Sequence, residues 1–161
     1  MKPGMKRTLM WTAIAAVCVI VIAGAYTFYS QYKEAAAPTS SPTGALQTVQ
    51  LDGQTIRVSI ANTEASRELG LGGRTGLAPD EGMLFVFPED GIYAFWMKDM
   101  LFSIDMIWLA DDGTVLYMAQ NVSPDTYPKD FVPTSPARYV LELPAGYAKA
   151  YTVRIGDKAT L

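Results

Sequence analysis

The chain has no histidine and a single cysteine among its 161 residues. Without histidine, Ser-His-Asp and Cys-His nucleophilic machinery is excluded, and so are the usual His/Cys zinc sites. Cys18 follows Val17 inside an apolar run, not a small residue of the kind that precedes a lipidated cysteine. It reads as a buried helix residue, and the remainder of the chain must hold together by packing alone, without a disulfide. Positive charge is also scarce. Three of the 13 basic residues, Lys2, Lys6 and Arg7, precede the apolar run, which leaves 10 against 16 acidic residues, a balance of −6. Phosphate backbones are bound by clustered Lys and Arg, so no nucleic-acid partner is expected.

Apolar residues are abundant, at 50%. After MKPGMKR the chain runs TLMWTAIAAVCVIVIAGAYTFY without a charge, enough at about 1.5 Å per residue for the roughly 30 Å hydrocarbon core of a bilayer. Residues 1–30 therefore read as a cytoplasmic tip and a transmembrane signal anchor, with Trp11, Tyr26 and Tyr29 at the interfaces. Basic residues precede the run and no acidic residue appears before Glu34, so the positive-inside rule keeps the N-terminus cytoplasmic and exports the rest. The alternative is a secreted protein with a cleaved signal peptide, since Ala23-Gly24-Ala25 and Ala35-Ala36-Ala37 suit a peptidase. The apolar run exceeds the roughly 7–15 residues of a signal core, which favours the anchor.

Residues 31–46, rich in Ala, Ser, Thr and Pro, read as a flexible linker. Residues 47–161 then read as one exported β domain. In TVQLDGQTIRVSIA, alternating apolar residues flank Asp52-Gly53, a two-residue hairpin signal. TEASRELG reads as a short helix, with Asn62 or Thr63 as N-cap and Gly70 as stop. GMLFVF, IYAFWM, IDMIWL, TVLYMA, RYVLEL and AYTVRIG read as strands. Several are apolar on both faces, which predicts a compact β-sandwich or barrel-like domain with one short helix. Between Val122 and Ala137 lies a long loop with Pro124, Pro128, Pro133 and Pro136, stiff and unlikely to pair.

Within that stretch, ELGLGGR (68–74), EGMLFVF (81–87), FWMKDM (95–100), IDMIW (104–108) and YVLELPAG (139–146) together resemble the bacterial and archaeal family named domain of unknown function 192. The resemblance covers nearly all of the exported part. It implies a small, mainly β domain and, as the family name says, lends no established activity. The family pattern reads closer to GLM-x-R and FWMKNT, so Gly72 stands for a Met, Asp99 for an Asn and Met100 for a Thr. A site using that amide or hydroxyl is altered here.

Asp105 is the most unusual side chain, because it shares one face of an apolar strand with Ile107 and Leu109. A buried carboxylate costs several kcal/mol unless it is paired or hydrogen-bonded. Arg74, Lys98 and Arg138 are the available cations; the alternative is that Asp105 ties down backbone amides. Arg74 offers a guanidinium fork suited to an anionic or hydroxylated ligand. Trp96 and Lys98 share a face, either as a binding wall or as a ring packing beside a lysine that reaches water. Glu142 shares its face with Arg138 and Val140, and a cross-strand ion pair is expected for it. The candidate ligand-binding residues are thus Arg74, Trp96, Lys98, Asp105, Tyr127 in the proline loop, and Glu142. Glycoside-type chemistry requires Asp105 and Glu142 to share one cleft.

No cofactor and no metal are expected. Asp80-Glu81, Glu89-Asp90 and Asp111-Asp112 lie at turns without calcium-ligand spacing. Met83, Met97, Met100, Met106 and Met118 lack tight Met-x-Met runs and read as core filling rather than Cu(I) ligands. The reading is a membrane-tethered extracytoplasmic module that binds a small ligand or protein partner without catalysis. The alternatives are a hydrolase or lyase using Asp105 and Glu142, or a structural scaffold.

Overall fold

The computed structural model describes residues 47–161, so the expected transmembrane anchor and the expected linker lie outside the described residues. Among the described residues no helix is long and apolar enough to cross a membrane. The elements are β1 (Gln47–Leu51), β2 (Gln54–Ala61), α1 (Glu64–Leu69), β3 (Glu81–Gly91), β4 (Ile104–Leu109), β5 (Val115–Val122), β6 (Ala137–Pro144) and α2 (Tyr147–Ala150).

Asp52 and Gly53 take φ of +50° and +74°, closing the hairpin between β1 and β2 with both turn residues left-handed. Thr63 caps α1 reciprocally: its hydroxyl accepts the Ser66 amide at 3.1 Å, while the Ser66 hydroxyl accepts the Thr63 amide at 2.9 Å. Gly70, at φ +50°, ends the helix. β3 returns parallel to β2. The other strand pairs are antiparallel.

The result is one mixed six-stranded sheet in the order β1-β2-β3-β6-β4-β5, not a sandwich or a closed barrel. The C-terminal strap makes bridges to both edges of the sheet, Thr160 with Gln50 before the β1 turn and Lys158 with Thr114 before β5. Two apolar layers cover the faces. On one, Leu84, Ile107, Leu141 and Leu143 meet Tyr147, Val153 and Ala159 of the C-terminal segment. On the other, Met83, Phe85, Met106 and Trp108 meet Leu71, Met97 and Met100 from the connections. All six residues of β4 are buried, because it is covered on both faces and paired on both sides.

Two expected strands do not form. IYAFWM keeps its in-out alternation, with Met97 buried and its neighbours Trp96 and Lys98 exposed, but its only bridge joins Phe95 to Phe131. It lies as a covering layer: Phe95 packs edge-on to Phe85 and Trp108 at centroid distances of 4.8 and 5.7 Å. That bridge also corrects the proline loop, which does pair at one point. AYTVRIG instead continues from α2 through turns, its amides at Ala150, Tyr151, Thr152 and Val153 donating locally to the carbonyls of Gly146, Tyr147, Lys149 and Ala148. A second short helix and a 3-10 turn at Pro124–Thr126 accompany the one helix expected.

Candidate functional site

The two carboxylates suspected of sharing a cleft stand back to back. Asp105 pairs opposite Leu143, and Glu142 pairs opposite Met106 on one side and Met83 on the other. Directly paired residues share a face, and faces alternate along a strand. Asp105 therefore lies in the layer of Ile107 and Leu143, and Glu142 in that of Met83 and Met106. They cannot act on one substrate, which removes the hydrolase arrangement.

Asp105 is wholly buried and its partners are backbone amides, not a cation. Oδ1 accepts N–H groups from Asn121 at 2.6 Å and Gly146 at 3.0 Å, and Oδ2 accepts Ala148 at 2.8 Å. Asn121 sits at φ +51° where the β4–β5 register slips, so Asp105 holds the irregularity in β5 and the start of α2 together. Arg138, one of the cations offered to Asp105, instead bonds Asp90 at 2.8 Å and reaches Asp111 at 3.3 Å, and among the described residues the cross-strand ion pair expected for Glu142 does not form. The turn carboxylates Asp80 and Asp112 pair with Arg57 and Lys158. Among the described residues no cluster of three potential metal-binding side chains occurs.

Glu142 is different. It is 4% exposed and its Oε2 has no hydrogen-bond partner. Burial pushes its carboxyl up to about 8, against a smaller opposing pull from Arg74. The group is therefore largely neutral at neutral pH, and Arg74 acts on it through space.

This carboxyl lines a pocket of about 330 Å³ between α1 and the 92–100 segment, on the methionine-rich face of the sheet. The hollow borders α1, none of whose residues is buried, so no side chain of the helix plugs it. Phe85, Phe87, Tyr93, Phe95 and Trp96 line it, and the rim carries Glu64, Arg67, Glu68, Leu69 and Lys98. The wall is fixed in place: the Trp108 indole N–H donates to the Tyr93 carbonyl at 2.9 Å, and Phe87 stacks on Tyr93 at 3.5 Å between centroids. Arg67 is engaged already, donating to the Val86 carbonyl at 3.0 Å with its guanidinium 5.2 Å from the centre of the Phe87 ring. The Gly73 amide donates to the Asp99 carbonyl at 2.9 Å, which joins the loop before Arg74 to the turn after Lys98.

Of the six residues suspected from sequence, Trp96, Lys98 and Glu142 line this pocket, and Arg74 faces Glu142 electrostatically. Asp105 is on the other face. Tyr127 is half exposed but is not part of the pocket lining. Sequence reading missed Arg67, Phe85 and Phe87. The available signal was a six-residue helix with a single large apolar side chain, Leu69, which is 70% exposed. Two departures from the family pattern, Gly72 and Met100, also fall in the lining. The third, Asp99, occupies a turn at φ +57°, a backbone role that Asn and Asp both tolerate.

Residues 47–161 match the family model described as DUF192, uncharacterized ACR. The chain belongs to this family. Its fold is shared with a solved protein of unknown function from Novosphingobium aromaticivorans DSM 12444, 31% identical, covering 80% of this chain and 95% of that one with a TM-score of 0.69. It is shared too with a candidate transcription regulator from Sinorhizobium meliloti 1021, 36% identical, covering 72% of this chain and 93% of that one with a TM-score of 0.68. No curated protein matches.

Proposed function

We propose that this DUF192 domain is a non-catalytic binding module, held at the extracytoplasmic side of a membrane by the apolar N-terminal run, that takes a small ligand in the pocket over Glu142. The observation that carries this reading is the unpartnered Oε2 of a buried carboxyl at an aromatic-lined hollow. Buried polar groups in folded proteins are nearly always satisfied, and exceptions call for a functional reason. A largely apolar pocket with a few convergent polar groups is the ordinary form of a small-molecule site. The scaffold reading accounts for Asp105 but leaves Glu142 unexplained.

A protein partner is the second reading, favoured by Leu69, Ile92 and Trp96, which expose 70%, 52% and 51% of their surface around the mouth. The transcription-regulator description of the Sinorhizobium meliloti protein is not carried over. The chain beyond its first basic cluster is acidic, and the helices described are six and four residues long.

The test is a titration of the full-length chain with benzyl alcohol, followed by NMR. Shifts concentrated at Phe85, Trp96 and Met100 support a ligand pocket. Shifts scattered over the surface, or none, contradict it.

A further inference from the structure

We infer that the pocket selects a small organic cation with N–H donors, an arylammonium or amidinium, seating its charged head on the Glu142 carboxyl and its ring against Phe85, Phe95 and Trp96. This rests on the reading of the pocket as a ligand site and names the ligand's class.

Glu142 supplies the first argument. Asp80, Asp90, Asp105 and Asp112 each have a hydrogen-bonding partner within the domain, whereas Glu142 Oε2 has none. An N–H donor from a ligand is what that oxygen lacks. A quaternary ammonium would bring no hydrogen bond, and an anionic head would have to keep the carboxyl protonated and accept its O–H, the case that a benzoate probe tests.

The walls supply the second. Five aromatic side chains line the hollow, and aromatic faces attract cations through their negative quadrupole face. The volume, about 330 Å³, is at the small end of ligand sites, enough for one ring and its head group.

The charges around Glu142 decide how strong the preference is. From α1 come Glu64, Arg67 and Glu68, and from the connections Lys98 and Arg74. Arg67 is bound to the Val86 carbonyl and covers the Phe87 ring. Glu64 and Glu68 draw a cation toward the mouth, while Lys98, Arg74 and Arg67, which keeps its charge when bonded to a carbonyl, oppose it. Binding is therefore modest and sensitive to salt. It is also linked to protons: the carboxyl, neutral when the pocket is empty, ionises as the cation seats, and its proton passes to solvent.

The experiment is calorimetry on the full-length chain in lipid nanodiscs, with empty nanodiscs subtracted, using benzamidine, benzyl alcohol and benzoate as probes. Benzamidine stays cationic between about pH 6 and about pH 8, so any pH dependence reports the protein. Its affinity should rise by up to about tenfold per pH unit over that range, with uptake of the released proton visible as a buffer-dependent heat. Near pH 8 it should exceed benzyl alcohol by about tenfold or more. Glu142→Gln should erase both the slope and the advantage while leaving benzyl alcohol bound, which also shows that the variant is folded. Equal, pH-independent affinity for benzamidine and benzyl alcohol overturns the cation inference and leaves the pocket reading standing. Benzoate as the tightest probe also overturns it. Failure of all three probes to bind removes both.

Discussion

Asp105 and Glu142 occupy neighbouring central strands one register step apart, and their side chains leave opposite faces of the same sheet. Their environments differ as sharply as their directions. Asp105 accepts three backbone N–H groups and ties the β5 irregularity to the start of α2, whereas Glu142 opens on a pocket with an oxygen unpartnered. One carboxylate ties elements of the fold together, and the other makes no hydrogen bond through Oε2 to them.

The stability of the domain should carry the signature of Glu142. Its carboxyl ionises near 4.5 in the unfolded chain and at about 8 in the folded one. Below the lower value both states hold the proton and stability is undiminished. Between the two values only the unfolded chain has released it, so stability falls as pH rises, by about 1.4 kcal/mol per pH unit at the steepest. Above about 8 the loss is complete. Thermal melts across this window should show that slope in the parent chain and its absence in Glu142→Gln. Asp112, lowered to about 2 by Thr114 and Lys158, acts in the other direction and only in acid, so it does not obscure the window.

Asp105→Asn replaces one accepting oxygen with a donor that faces backbone N–H groups. The expected cost is roughly 2–4 kcal/mol, read as a lower denaturation midpoint, with faster amide exchange at Asn121, Gly146 and Ala148. An effect below about 0.5 kcal/mol would contradict the account of this residue.

Trp96→Ala should separate binding from folding. Half of the Trp96 surface is exposed, so truncation should cost within about 1 kcal/mol of stability while weakening every pocket ligand. Arg74→Ala should likewise leave melting nearly unchanged. Because Arg74 holds the Glu142 titration down, that titration should move upward in the variant.

Gly113 sits at φ +83°, and a Cβ there would collide with the Ala159 carbonyl, whose own amide donates to Gly113 O at 2.9 Å. Gly113→Ala should therefore cost about 2–4 kcal/mol and loosen the strap, raising amide exchange at Ala159 and Thr160.

What was legible in the sequence is what local chemistry decides. The Asp52-Gly53 hairpin, the Thr63-capped helix and the strands from GMLFVF, IDMIWL, TVLYMA and RYVLEL each rest on turn residues and on β-branched or aromatic runs. IYAFWM has the same composition, yet alternation says only that a segment has two faces, not that another strand pairs with it. AYTVRIG has a strand's composition too, but its first amides are taken by α2 and the turn after it, next to Gly146 and Ala148, which the Asp105 carboxylate holds from 41 and 43 residues away. Trp96 and Lys98 share the exposed side, as their alternation with Met97 implies, and that alternation persists outside a ladder. The separate fates of Asp105 and Glu142 depend on the β4–β6 register, which no local pattern contains. Phe85 and Phe87 looked like ordinary core, and Phe85 is buried; nothing in one dimension reveals that both border a pocket.

The measurement that tests the central claim most directly is the titration of the Glu142 side-chain carboxyl, followed by carbon NMR of the full-length chain labelled at glutamate and assigned with Glu142→Gln. The account predicts a midpoint near 8 in the free protein, falling when benzamidine is added. A midpoint near the ordinary glutamate value, unmoved by the probe, would mean that Glu142 is solvated or paired, and would contradict the account.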